Sequence, residues 1–152
     1  VGSEMCIRDR PQGYYTTPLD KAAVVHEGTD VSIISYGGGV PVALKAAEEL
    51  DKNGISAEVL DLRTVSPLDI QAIGDTVTKT GRVVVVQEAQ RMAGIGASIM
   101  SEISERFILS LKAPIGRIAA PDSVYPFGQA ENDWMIKSDD VVAKVMEVVN
   151  YD

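Results

Sequence analysis

The stretch "RVVVVQEA", Arg82 to Ala89, sets four valines side by side. β-branched residues favour an extended backbone. Successive side chains of a strand point to opposite faces, so four consecutive apolar residues need cover on both sides. A central strand of a parallel sheet, flanked by helices, meets that need. The rest of the chain must then supply neighbouring strands and two helical layers.

The segments around it have the required form. Ala22 to His26 and Val31 to Tyr36 are apolar strands around a Gly-Thr-Asp turn, and by sequence alone they look like a hairpin. Gly37-Gly38-Gly39 permits a sharp turn. A helix follows, with Pro41 in its first turn, Ala43, Ala47 and Leu50 on one face, and Asn53-Gly54 at its end. Ser56 to Val65 reads as a strand. Ser66-Pro67-Leu68-Asp69 has the form of a capping box, with Ser66 as N-cap, Pro67 at the first helical position and Asp69 at the third. Ile70, Ile73 and Val77 form the buried stripe of that helix. Lys79 sits in its last turn and Gly81 serves as a left-handed stop. Beyond the valine strand, "GIGASIMSEISERF" is a helix with Ile99, Ile103 and Phe107 in register. "PIGRIAA" is a short strand, "PDSVYPFGQAEND" a Pro-rich connection, and "SDDVVAKVMEVVNYD" a closing helix. There Val141, Val145 and Val148 face inward, and Asp139 and Asp140 favour the N-terminus. This alternation predicts an α/β fold, a largely parallel sheet with helices on both faces and right-handed crossovers.

Composition narrows the functional classes. The chain has 152 residues, one domain's worth, and a formal net charge of -8. An acidic balance argues against non-specific nucleic-acid binding, which needs a basic face. No apolar run reaches the ~18 residues of a membrane span. Cys6 is the single cysteine, which fits a reducing compartment. Val1 to Arg10 lack periodicity and a secretory core, and read as a non-native or disordered leader before a domain at residues 11–152.

The candidate chemistry is sparse. The glycine turn at Gly37 could cradle a phosphate, but neither GxGxxG nor a P-loop is present. Glu88 lies just past the carboxyl end of the buried strand, where ligands collect in open α/β sheets. Asp61, Arg63, Asp69 and Glu88 read more simply as an ion-pair cluster holding loops. His26, beside Glu27 and Gly28, reads as a surface turn residue. No His/Cys cluster has metal-ligand spacing, and no GxSxG elbow occurs.

Four stretches in order then carry a resemblance: "YYTTPLDKAAVVHEGTDVSIISYGGGV", "AAEELDKNGISAEVLDLRTVSPLDIQAI", "KTGRVVVVQEAQRMAGIGASI" and "LSLKAPIGRIAAPDSVYPFGQAEN". From Pro11 to Asp152 the chain resembles the C-terminal domain of beta subunits of thiamine-diphosphate-dependent 2-oxo acid dehydrogenases. "EAQRMAGIGA" and "AAPDSVYPFGQAEN" look most like bacterial pyruvate dehydrogenase; acetoin and branched-chain 2-oxo acid enzymes are close alternatives. The resemblance implies a three-layer αβα fold, transketolase C-terminal-like, with a five-stranded, mostly parallel sheet. Its first strand is antiparallel and sits beside Ser56 to Leu62, not in a hairpin.

The resemblance also implies where the chemistry lies. The glutamate that activates the cofactor belongs to the preceding domain of the beta subunit. Thiamine diphosphate and Mg²⁺ are held by the alpha subunit. "GDT" at Gly74 falls inside a helix and lacks that motif's continuation. No catalytic, cofactor or metal residue is therefore expected in this chain, and alone it is expected to be inactive. Expected partners are an alpha subunit and a second beta subunit (α2β2), and the basic subunit-binding domain of a dihydrolipoyl acyltransferase. Docking of the latter maps to Lys112, Tyr151 and Asp152, with Lys112 reversing an acidic charge of some relatives. The implied location is the cytoplasm of a bacterium, or the mitochondrial matrix in a eukaryote. The competing expectation is a free-standing small-ligand or regulatory module using the crevice near Gly37 and Glu88.

Overall fold

A computed structural model describes residues 12–151. Val1 to Arg10, expected to be a leader, and Asp152, expected to dock a partner, lie outside the described residues. In chain order the elements are β1 (Ala23–His26), β2 (Val31–Ser35), α1 (Gly39–Lys52), β3 (Ala57–Asp61), α2 (Ile70–Thr80), β4 (Val83–Gln90), α3 (Ile95–Phe107), β5 (Gly116–Ala120), α4 (Glu131–Trp134) and α5 (Ser138–Val149).

The five strands form one sheet in the order β1-β3-β2-β4-β5. β1 runs antiparallel to β3, with Ala23 opposite Asp61 and Val24 opposite Leu60. The pairs β2–β3, β2–β4 and β4–β5 are parallel. The apparent hairpin of the first two strands is thus split by β3, as the family resemblance implied.

The valine run is explained by its two covers. Val84 and Val86 pack with Ala43, Leu50, Val141 and Val145 of α1 and α5. Val83 and Val85 pack with Ile73, Val77, Ile99 and Ile103 of α2 and α3. All four valines are fully buried. Helices on both faces complete the three layers.

Two sequence expectations need correction. The N-cap of α2 is Asp69, not Ser66: its carboxylate accepts from the Ala72 N–H at 3.1 Å, and the helix starts at Ile70. Asp69 wins because its buried carboxylate also accepts the Ala22 N–H at 3.1 Å, joining the helix start to the approach of β1. Ser66 and Pro67 are exposed and precede the helix as a bend. The strand expected to reach Val65 stops at Asp61. Asp61 Oδ1 accepts the Arg63 N–H at 2.9 Å, and Arg63 has φ +56°, a left-handed backbone that ends β pairing. The Pro-rich connection also contains a short 3₁₀ turn, Gly128–Ala130, leading into α4. Gly81 does end α2 with φ +72°, its N–H bonded to Val77 O at 2.9 Å.

Candidate functional site

The carboxyl ends of the parallel strands form one edge of the domain. Glu88, half-buried on β4, lies against the glycine turn. A Cβ built on Gly38 would stand 2.5 Å from both Glu88 carboxylate oxygens, so any side chain there would displace the Glu88 carboxylate. The turn is closed internally, with Gly39 N–H bonded to Tyr36 O and Val40 N–H to Gly37 O, both at 3.2 Å. A carboxylate held at this helix start favours α1 through its dipole and repels a second anion. Burial, and then the Glu88 charge, push the Tyr36 phenol above its ordinary range.

The four residues read as an ion-pair cluster do not form one. Among the described residues no salt bridge joins any two of Asp61, Arg63, Asp69 and Glu88. Each carboxylate is engaged elsewhere. Asp61 takes a backbone N–H, Asp69 caps α2 and lies 3.9 Å from Lys21 Nζ, and Glu88 faces Gly38. Arg63 is exposed. Burial acts to raise the Asp69 pKa, but hydrogen bonds from Ala72 and Ala22 and the Lys21 charge outweigh it and hold the carboxyl below its ordinary value.

His26 is also not a loose surface residue. It ends β1, with Nδ1 2.8 Å from Ala57 O and Nε2 3.2 Å from Asp51 Oδ2. The ring therefore ties β1 to β3 and α1.

A buried polar network escaped the sequence reading. Glu58, 2% exposed on β3, accepts from Thr76 Oγ1 and pairs with Lys79 Nζ. Lys79 also reaches Glu27 at 2.9 Å. Ser32 Oγ on β2 lies 2.9 Å from Thr76 Oγ1 and 2.8 Å from Thr80 Oγ1. Hydrogen bonds donated to Glu58 and then to Glu27 raise the Lys79 pKa. The available signal was polar residues, Ser32 and Glu58, inside two apolar strands.

Two uncovered apolar regions stand out. At the carboxyl edge, Met92, Val124 (89% exposed) and Phe127 (91% exposed) follow β4 and β5. The Met92 N–H bonds Asp122 Oδ1 at 2.6 Å, fastening the two loops together. Tyr125 packs edge-on against Trp134 with centroids 4.9 Å apart. The second region brings together Lys112 and Tyr151 in a shallow groove of ≈ 540 Å³ with Met100, Ile108, Leu111 and Ile115. Leu109 beside it is 98% exposed. Lys112 also supports the fold there. Its Nζ donates to Thr80 O at 3.1 Å, and its stem lies over Gly81. It thus caps the carbonyl end of α2.

Sheet order, the antiparallel first strand and the helices on both faces define the transketolase C-terminal class of α/β domain. The chain belongs to the family described as "Transketolase, C-terminal domain", which matches residues 20–141. It is 55% identical over 141 residues to the pyruvate dehydrogenase E1 component subunit beta of Staphylococcus aureus (strain Mu50), covering 93% of this chain and 43% of that protein. The same-named protein of Bacillus subtilis (strain 168) is 57% identical over the same length and coverage. The chain therefore spans less than half the length of these relatives. Among solved structures, a split-gene transketolase, an inactive beta4 tetramer, superposes with TM-score 0.77 at 28% identity, covering 89% of this chain and 43% of that one. A 2-oxoglutarate:ferredoxin oxidoreductase from Magnetococcus marinus shares the fold at TM-score 0.56 and 14% identity, covering 86% of this chain and 19% of that one.

Proposed function

We propose that this chain is the C-terminal assembly and docking domain of a pyruvate dehydrogenase (acetyl-transferring) beta subunit. Its similarity to two such subunits, at 55% and 57% identity, supports the parent enzyme. The observation that carries the assembly role is the uncovered apolar edge at Met92, Val124 and Phe127. Large exposed apolar side chains on loops that a Met92–Asp122 hydrogen bond fastens together suit protein–protein contact. In this reading the edge meets an alpha subunit or a second beta subunit of an α2β2 enzyme in the cytoplasm of a bacterium.

The groove at Lys112 and Tyr151 is the proposed acyltransferase docking surface. A basic partner would meet the Lys112 ammonium there, which disfavours association; Asp152 would supply the attractive charge. Among the described residues no group of three His, Cys, Asp or Glu side chains could hold a metal ion. The proposal places thiamine diphosphate and Mg²⁺ in the rest of the parent enzyme.

A chimera tests the reading. Residues 20–152 replace the corresponding region of the Bacillus subtilis beta subunit, which is then mixed with its alpha subunit. The proposal expects pyruvate decarboxylation from the chimera, and no calorimetric thiamine diphosphate binding by the 152-residue chain alone. An inert, unassembled chimera, or a stoichiometric cofactor site on the chain alone, contradicts it. The second result would favour the free-standing ligand module instead.

A further inference from the structure

We infer that a pocket on the β5 edge of the domain is a binding site for an oxyanion, a phosphate or carboxylate, carried on a small apolar body. β5 is the last strand of the sheet. A cavity of ≈ 280 Å³ opens at its start, lined by Arg91, Arg117 and Lys144, with Glu147, Met100 and Tyr151. Three cations against one carboxylate is a local inversion in a chain of net charge -8. The elements that place them differ: Arg91 follows β4, Arg117 lies on β5 and Lys144 on α5. Their convergence is therefore a product of the fold and not of a basic run in the sequence.

Among the described residues the carboxylates answer only one of these charges. Among the described residues neither Arg91 nor Arg117 pairs with a carboxylate within 4.0 Å; Lys144 alone does, with Glu147. Arg117 Nε is buried and has no hydrogen-bond partner among the described residues. A buried donor without an acceptor is unfavourable, and Arg117 lines the cavity in which an oxyanion could meet its guanidinium. Two guanidinium groups suit such a ligand because each presents a planar fork of N–H donors. Lys144 lies over Gly116, its Cγ 3.0 Å from the place a Cβ would take. The Tyr151 ring and Met100 give the other wall an apolar surface for a ligand body. The pocket shares Met100 and Tyr151 with the groove proposed above for docking, but its own test needs no cofactor or partner subunit.

The test is a titration of the 152-residue chain, at low ionic strength, followed by amide NMR shifts. Inorganic phosphate, phenyl phosphate and benzoate are the probes. Saturable shifts confined to Arg91, Gly116, Arg117 and Lys144 are expected, with phenyl phosphate tighter than inorganic phosphate. Phenyl phosphate or benzoate, whichever binds tighter, identifies the headgroup. Arg117→Met should weaken binding by roughly ten- to a hundred-fold, as loss of a charged hydrogen bond does. Arg91→Gln, at an exposed position, should weaken it without disturbing the fold, which covers the case of an unfolded Arg117→Met. Three results overturn the inference: no localised shift up to tens of millimolar, shifts spread evenly over surface lysines, or binding seen only in Asp152→Asn. The last would mean that the pocket answers the chain's own carboxylate.

Discussion

Asp69 and Glu58 show how single side chains hold this domain together. Asp69→Ala removes an N-cap and the tie to Ala22, and should lower stability by about 1–2 kcal/mol in denaturant melts. Because the folded pKa of Asp69 is depressed, its contribution is present above the unfolded value and fades as pH falls through the folded one. Wild type and Asp69→Asn should therefore converge in stability in acid, below the ordinary aspartate range. Lys79 has the opposite sign: its raised pKa stabilises the fold at lower pH, and that is lost as pH rises through the folded value. A double-mutant cycle should give a larger coupling for Lys79 with buried Glu58 than with exposed Glu27, because solvent screens the exposed pair. Equal couplings would mean that the buried network adds nothing. Asp69 was visible in the sequence as part of a capping box, but the box shape favours Ser66. The deciding contact, from Ala22, is 47 residues away, and local pattern carries no trace of it.

At the scale of elements, the valine strand was the most legible part of the chain. Val83 to Val86 require two covers, and α1 with α5 and α2 with α3 provide them. Helix stripes such as Ile73 and Val77, or Val141 and Val145, follow from spacing for the same reason. Strand order was not legible from the residues, because β1 and β2 carry ordinary hairpin signals and only the partner β3 separates them. The end of β3 was missed because nothing marks Arg63, a non-glycine residue, as left-handed. Lys112 shows the same limit: its charge is plain in sequence, its place on the carbonyl end of α2 is not. Lys112→Glu would set a carboxylate beside Thr80 O and lose that cap. Its melting temperature should fall, by the few degrees that ~1 kcal/mol represents in a domain of this size. Lys112→Met keeps the stem over Gly81 and should lose less. Any gain in docking rate by Lys112→Glu must be judged against this loss.

For the whole molecule, the described surface pairs a well-covered sheet with the two uncovered apolar regions above and an exposed run before β1 that carries Tyr14 and Leu19. In the sequence the residues of the carboxyl edge are only a Pro-rich connection, and the fold turns them into a face. Phe127→Asp on that edge should leave the fold intact, since Phe127 is 91% exposed and belongs to neither core cluster. The most direct measurement is the mass of the chimeric beta subunit mixed with its alpha subunit, by analytical ultracentrifugation, with and without Phe127→Asp and Val124→Asp together. The proposed function predicts an α2β2 mass for the parent chimera and a shift to free subunits for the double variant, with the melting temperature of the 152-residue chain unchanged. An unaltered α2β2 mass in the double variant would contradict it.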